Sequence, residues 1–465
     1  MTSSKRLPSP QLYTIGWITA LDKELTAAEA VLDEEHQKPE NFRKHPKDTN
    51  SYVWGRIGDH NVVIASLAAG KYGTVSAATT AWSMTSSLPH LRFGLMVGIG
   101  AGIPRLADNI DIRLGDVVVS QPTGTSPGVV QYDLGKLGND GQFTRVGSLA
   151  SPPEVLLKGL AALKAKRRLK GPRVRSILND MLQRHPLLAE AEPGDAAFVY
   201  QGAHNDRLFD ASSIHIQRPD SQSAVSLAGA VPHNVSTHYF QLALVWAWSL
   251  FWLVYTSVRT PASTNEATRS IPSEDASCQE ASQTKSCEHC DTGKEIGRRH
   301  RRSTDPVVHY GVIASGNSVV KDGISRDDIV QRLGDKCICF EMEAAGLMDN
   351  FPCLVIRGIC DYADTHKNDR WQNYSAATAA AFAKELLEVI DSEDVEGSSR
   401  IDEIMEHPTN KMQQSQHFQE VMKWLAPPDP STNDNKALQQ RHEGTGQWLL
   451  DSEEYSKWKN TPKSS

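Results

Sequence analysis

No disulfide framework is written into this sequence: seven cysteines, an odd number, are scattered over 465 residues. Residues 1–8 hold no apolar core of the kind a secretory leader needs, so no signal peptide is expected. Together these absences predict a reducing, cytoplasmic setting. Charge of one sign is not in large excess either. Lysine and arginine number 49 against 56 aspartates and glutamates, a formal net charge of -7, which gives no global reason to expect nucleic acid as a partner. A Gly-x-x-x-x-Gly-Lys-Ser/Thr stretch is missing, which excludes a P-loop site from these residues. Long apolar runs are scarce, with residues 239–258 the exception.

What is present reads as globular, at 39% hydrophobic and 23% charged residues, and long enough for one large domain with additions or for two to three domains. Residues 13–20 read as a buried strand. Residues 22–32 carry helical spacing, with Leu25, Ala28 and Leu32 on one face. A hairpin is predicted over 52–57 and 61–66, a helix over 76–86, and a strand over 93–97 that ends in the glycine turn 98–102. A strand at 116–120 and an alanine-rich helix at 376–390 complete the rhythm of an α/β sheet. Three segments break it. Residues 140–200 are mostly helical, with a basic run at 164–168; residues 211–306 are irregular; from 393 onward the chain is polar, with a proline-rich linker near 427–432.

Two stretches carry the chemistry. Phe340-Glu341-Met342-Glu343-Ala344-Ala345-Gly346 has the pattern of a strand end passing into a helix, and the apolar run Val355-Ile356-Arg357-Gly358-Ile359-Cys360 stops at Asp361. In an open α/β sheet, ligands sit outside the carboxyl ends of the strands. Glu343 and Asp361, at two such ends, are therefore expected to converge on one pocket, one to hold sugar hydroxyls and the other to donate a proton. The plainer alternatives are helix- and turn-capping acids satisfied by backbone amides.

These motifs resemble the nucleoside phosphorylase and nucleosidase superfamily, which cleaves N-ribosidic bonds. The likeness covers residues 12–210 and 306–392. It rests also on Tyr13-Thr14-Ile15-Gly16-Trp17-Ile18, Phe93-Gly94-Leu95-Met96-Val97-Gly98-Ile99-Gly100, Asp111-Ile112-Arg113-Leu114-Gly115-Asp116 and His309-Tyr310-Gly311-Val312-Ile313-Ala314-Ser315-Gly316. It implies an α/β fold: one domain over 12–392 with a mixed, partly barrel-like central sheet surrounded by helices; the irregular stretch 211–306 is read as an insertion in it, and 393–465 as a polar, helical or disordered linker after it. It implies purine nucleosides or nucleotides as ligands and a homo-oligomer. Within it, Asp361 would protonate the purine at N7, Glu343 would grip the ribose hydroxyls, Met342 would pack on the ribose, and Val319 and Val320 would flank the base.

Glu24 bears on the reaction class. It falls where the methylthioadenosine/S-adenosylhomocysteine nucleosidases place the carboxylate that activates water, though a solvated acid on an amphipathic helix would look the same. Phosphorylases of the superfamily put an arginine near this strand end, and none lies between Arg6 and Arg43. The glycine turn around Gly100 can offer backbone amides to an anion, but lacks the serine or threonine that phosphorylases use. Hydrolysis is therefore expected, with phosphorolysis and a non-catalytic sensing or oligomerisation module of a receptor as alternatives. Lys367 and Arg370 are cations near the expected mouth, able to meet a 5′-phosphate chain or to lie on a solvated helix face.

Residues 435–450 resemble the segment that precedes the NACHT domain of fungal receptor-like proteins, so a chain truncated before that domain is expected. Cys287-x-x-Cys290 has metal-like spacing but no well-spaced second ligand pair, so neither metal nor cofactor is expected. The run Arg298 to Arg302 is read as a solvated loop. Residues 239–258 have transmembrane length, but a span there would put Glu24 and Glu343 on opposite sides of a bilayer. An extraneous insertion, forming a poorly ordered excursion or a surface-lying helix, is expected instead, with a membrane not expected as a partner.

Overall fold

The computed structural model describes residues 5–139, 142–216, 287–334, 336–406 and 452–453. After the short strand Lys5–Arg6 (β1), the chain enters Ile15–Thr19 (β2), buried at all five positions as a strand covered on both faces must be. Asp22–Ala30 (α1) follows, then Glu34–Gln37 (β3) and the antiparallel pair Val53–Ile57 (β4) and His60–Ser66 (β5). Thr74–Ser87 (α2) leads to Phe93–Gly102 (β6) and Val117–Ser120 (β7). Val129–Gln131 (β8) is followed by the small hairpin Gly135–Leu137 (β9) and Phe143–Arg145 (β10). The helices Glu154–Lys170 (α3) and Val174–Arg184 (α4) follow. Beyond residue 287 come Val308–Ser315 (β11), Gly323–Arg332 (α5), Cys337–Glu341 (β12), Cys353–Asp361 (β13), Gln372–Leu387 (α6) and Ser392–Glu396 (α7). A contact-compact unit ends at Ser398; from the unit that starts at Ser399, the structure describes the helix Ile401–Glu406 (α8).

The strands order as β1-β3-β4-β5-β2-β6-β12-β11-β7-β13, and β13 also pairs with β6. That last pairing closes β6, β12, β11, β7 and β13 into a ring, while β2, β5, β4, β3 and β1 extend from it as an open sheet. Parallel and antiparallel pairs are mixed around the ring: β6 with β13 and β11 with β12 are parallel, β6 with β12 and β7 with β13 antiparallel. The α/β class and partly barrel-like sheet expected from the sequence are those observed. Helix α6 is buried along nearly its whole length. Its alanines let it lie against β13, where a Cβ at Gly358 would stand 1.8 Å from the Ser375 carbonyl oxygen.

Two expectations are corrected. The glycine run 98–102 is not a turn but the second half of β6. Its glycines make room for side chains from neighbouring elements; an extended backbone serves that purpose as well as a turn does. The basic run is not a solvated loop. Arg298 reaches Asp206 at 2.9 Å and the Tyr362 hydroxyl at 2.8 Å, and Arg301 clamps Asp116 at 2.7 Å. Residues 287–306, the last part of the expected insertion, thereby pack on the domain, with Ile296 N donating to Leu208 O at 2.8 Å. The apolar run 239–258 and the segment 435–450 lie outside the described residues. Among the described residues no helix is long and apolar enough to cross a membrane.

Candidate active site

Three strand ends build the site. At the end of β2 the chain turns into α1, and Glu24 in the first helical turn reaches back to the strand. Its Oε2 accepts from Ala20 N at 2.6 Å and Leu21 N at 3.0 Å, and its Oε1 accepts from Ile99 N of β6 at 2.7 Å. The side chain is therefore buried, not a solvated helix acid. Burial raises its pKa above the usual carboxylate value, and the Arg357 charge and the three amides oppose that shift. Gly98 makes the approach possible: a Cβ there would lie 2.3 Å from Glu24 Oε1 and 2.7 Å from Arg357 Nη1.

At the end of β12, Glu341 and Glu343 alternate around Met342. Glu341 folds back on the following turn and accepts from Glu343 N at 3.1 Å and Ala344 N at 3.0 Å. Glu343 accepts from Gly73 N and from Arg357 Nη2, each at 3.3 Å. Arg357 also pairs with Glu341 and donates to Ile99 O at 3.3 Å. One buried guanidinium thus faces three buried carboxylates, Glu24, Glu341 and Glu343. Burial first, with Glu341 and Glu24 adding to it against the pull of Arg357, pushes Glu343 up to about 7. Burial works to lower the Arg357 pKa, but the three acids hold it above its ordinary value.

The third end is that of β13, where Asp361 Oδ1 accepts from Ala363 N at 2.9 Å and Oδ2 takes an ion pair from Lys367. Ala363 sits in the left-handed region at φ 53, a conformation uncommon for a residue with a Cβ and one that concentrates at functional sites. Burial alone would lower the Lys367 pKa; Asp361 and Cys360 raise it above the ordinary lysine value.

A cavity of about 300 Å³ opens between these ends. Glu24, Gly100, Val319, Val320, Met342, Glu343, Asp361 and Lys367, all named from the sequence, line it together. Val319 is 44% exposed and lies past the end of β11, so it is not strand core. Arg370 does not line this cavity. It borders an adjoining one of about 330 Å³, which shares Asp361 and Lys367 with the first. Lys367 and Arg370 lie in the loop before α6 rather than on a helix. Sequence reasoning missed Glu341 and Arg357 as site residues. A signal was there: a lone arginine inside an otherwise apolar strand is seldom buried without charged partners.

No family model matches the chain. Over 391 residues it is 39% identical to a nucleotide-binding leucine-rich repeat (NLR)-like protein of Hyaloscypha variabilis, a match covering 83% of this chain and 30% of that protein. Over 87 residues it is 31% identical to the ATP nucleosidase Cap17 of Escherichia coli, or 18% of this chain and 17% of that protein. The chain thus spans less than a third of the first relative's length. Among solved structures it is similar to the futalosine hydrolase of Helicobacter pylori, at TM-score 0.41 and 16% identity, covering 82% of this chain and 99% of that one. A 5′-methylthioadenosine/S-adenosylhomocysteine nucleosidase from Neisseria meningitidis, in complex with methylthio-immucillin-A, gives TM-score 0.41 and 14% identity, covering 81% of this chain and 99% of that one.

Proposed function

We propose that the chain hydrolyses the N-ribosidic bond of purine nucleosides or nucleotides. The observation that carries this reading is the convergence of Glu24, Glu343 and Asp361, from three strand ends, on one cavity. As the bond between C1′ and the purine breaks, the electron pair leaves with the base, which takes a proton through Asp361; the Lys367 ammonium bonded to that carboxylate replaces it, and the proton that water loses to Glu24 restores the balance through solvent. Glu343 in its ionised form accepts from both ribose hydroxyls. Water attacks C1′ and loses its proton to Glu24, whose raised pKa makes it a better proton acceptor than an ordinary carboxylate. Lys367 holds the Asp361 carboxylate in place until substrate arrives.

Phosphate as nucleophile is the second reading within enzymes. Against it, Arg357 is already engaged by Glu341 and Glu343, and an anion beside Glu24 would meet a third acid. The similarity to an ATP nucleosidase, with Lys367 at the cavity wall, favours a substrate with a 5′-phosphate chain. The similarity to an NLR-like protein favours the chain as one module of a receptor-like protein in which that activity is the output.

The test is release of free purine from adenosine, its nucleotides and methylthioadenosine, with and without inorganic phosphate. The free sugar with its 5-substituent unchanged (ribose, 5-phosphorylated ribose or 5-methylthioribose), at a rate indifferent to added phosphate, is expected. Glu24→Gln is expected to abolish it, with no rescue by phosphate. Ribose 1-phosphate as the main product would make the protein a phosphorylase, and no base release from any of these substrates would leave the sensing module.

A further inference from the structure

A second cluster lies outside the cavity that holds Glu24 and Glu343, and spacing alone does not reveal it, because residues 217–286 separate its members. The ligand atoms of His215, Cys287 and Cys290, one imidazole nitrogen and two sulfurs, all lie within 4.8 Å of one another. Cys290 Sγ stands 3.2 Å from His215 Nδ1 and accepts from Ile216 N at 3.4 Å. Cys290 is buried, and Cys287 and His215 are half-buried.

Beside this trio three side-chain atoms lack a hydrogen-bond partner. Both ring nitrogens of His366 and Oδ2 of Asp364 are buried without a hydrogen-bond partner, in residues only 7% and 3% exposed. The His366 ring is stacked on Phe209 and meets His215 edge-on at 5.5 Å, and its Nδ1 is 3.7 Å from Asp364 Oδ2. The Asp364 charge acts on both His215 and Cys287. Buried polar atoms normally find partners. Here an acid and an imidazole are left over next to two thiols and a second imidazole.

We propose that His215, Cys287 and Cys290 bind a zinc ion, with the fourth donor drawn from Asp364 and His366. Two sulfurs three residues apart with nitrogen donors are the soft-to-borderline set that selects zinc over magnesium or calcium. Binding replaces the thiol protons with the metal and releases them to solvent. Four protein donors leave no open position, so the ion is structural. It ties together the two edges of 217–286 and the loop that carries Asp361 and Lys367. That loop is already joined to the first edge, where Thr365 Oγ1 accepts from His215 N at 2.9 Å and donates to Ser213 O at 3.0 Å. The adjoining cavity, lined by Cys287, Asp364 and His366, supplies an entry path.

The full chain, purified without chelator or polyhistidine tag, is expected to carry about one equivalent of zinc by elemental mass spectrometry. After exchange with cobalt it should show thiolate-to-cobalt charge-transfer absorption. The double variant Cys287→Ser/Cys290→Ser should lose both signals. Asp364→Ala should weaken zinc affinity on the order of 10–100-fold. If the double variant does not fold, the cobalt spectrum of the unmodified protein decides. The proposal is overturned by protein that neither retains zinc nor develops the cobalt–thiolate band, by undiminished zinc in a folded double variant, or by a Cys287–Cys290 disulfide in freshly isolated protein.

Discussion

Asp361 ends a buried strand, with its two oxygens divided between the Ala363 amide and the Lys367 ammonium. Asparagine keeps that shape and the amide contact but has no carboxyl proton to give. Asp361→Asn should therefore lower base release by ~10²–10⁴-fold while the circular dichroism spectrum and thermal midpoint stay close to those of the parent. Undiminished turnover in that variant would remove Asp361 from the mechanism. Glu343 sets a pH dependence. Its pKa is pushed up from 4.5 to about 7, so its ionised, hydroxyl-gripping form is lost as pH falls through 7, and KM for a ribosyl substrate should rise there. Stability runs the other way. Between 4.5 and 7 the folded protein holds this proton more tightly than the unfolded chain does, so stability from this group falls as pH rises across the window. The slope is at most about 1.4 kcal/mol per pH unit. Glu343→Gln should flatten both trends; a KM profile that keeps its acid limb in Glu343→Gln would assign the limb elsewhere. At this scale Glu343 and Asp361 stood out because each lies where an apolar pattern ends, whereas Glu24 was marked only by the resemblance to the nucleosidases, its helix pattern being that of a solvated acid. Arg357 was not, because an isolated charge inside an apolar run carries no mark of the acids it will meet from β2 and β12.

The element that most departs from its sequence reading is β6. Five residues of alternating glycine look like a turn, since glycine is the usual residue where a chain must bend. In the folded protein the same glycines keep one face of an extended strand bare, so that Glu24, Arg357 and neighbouring side chains can lie across it. Gly98 pairs directly with Arg357 across the parallel ladder. Gly98→Ala should displace Glu24 or Arg357 and cost ~1–3 kcal/mol in denaturant unfolding, as overpacking does. Base release should fall with it, by ~10²-fold if Glu24 moves by 1 Å. A Gly98→Ala protein that matched the parent in both measurements would refute the packing account. Helix α6, by contrast, was plain in advance: a run of alanines has one good use beside a sheet, close approach without steric conflict.

Over the whole molecule, the α/β class and mixed sheet follow from the order of strand and helix patterns. Closure of the ring does not, because it depends on β13 pairing both with β6 and with β7. The two edges of the intervening stretch are paired with each other, Phe209 with Glu295 and Ile296 with Leu208. Removing residues 218–281 should therefore leave a soluble protein that still releases base, with both flanking segments and all candidate site residues intact. Loss of folding on that deletion would show the stretch to be part of the domain, and resistance of the full chain to alkaline extraction would show a membrane segment.

The closed ring also dictates an order of events during synthesis. Strands β6 and β7 leave the ribosome long before β11, β12 and β13, the partners that complete the ring around them. Until those emerge, the Val117–Ser120 strand, buried at every position in the finished protein, has no neighbour in the sheet. A nascent chain in that state presents a bare apolar strand to its surroundings for as long as translation of the remainder takes, the situation in which holding chaperones bind. The pocket itself has no partial form. Its lining is complete only after Asp361, Lys367 and Gln372 have cleared the exit tunnel, and no product of premature termination upstream of that point can possess it.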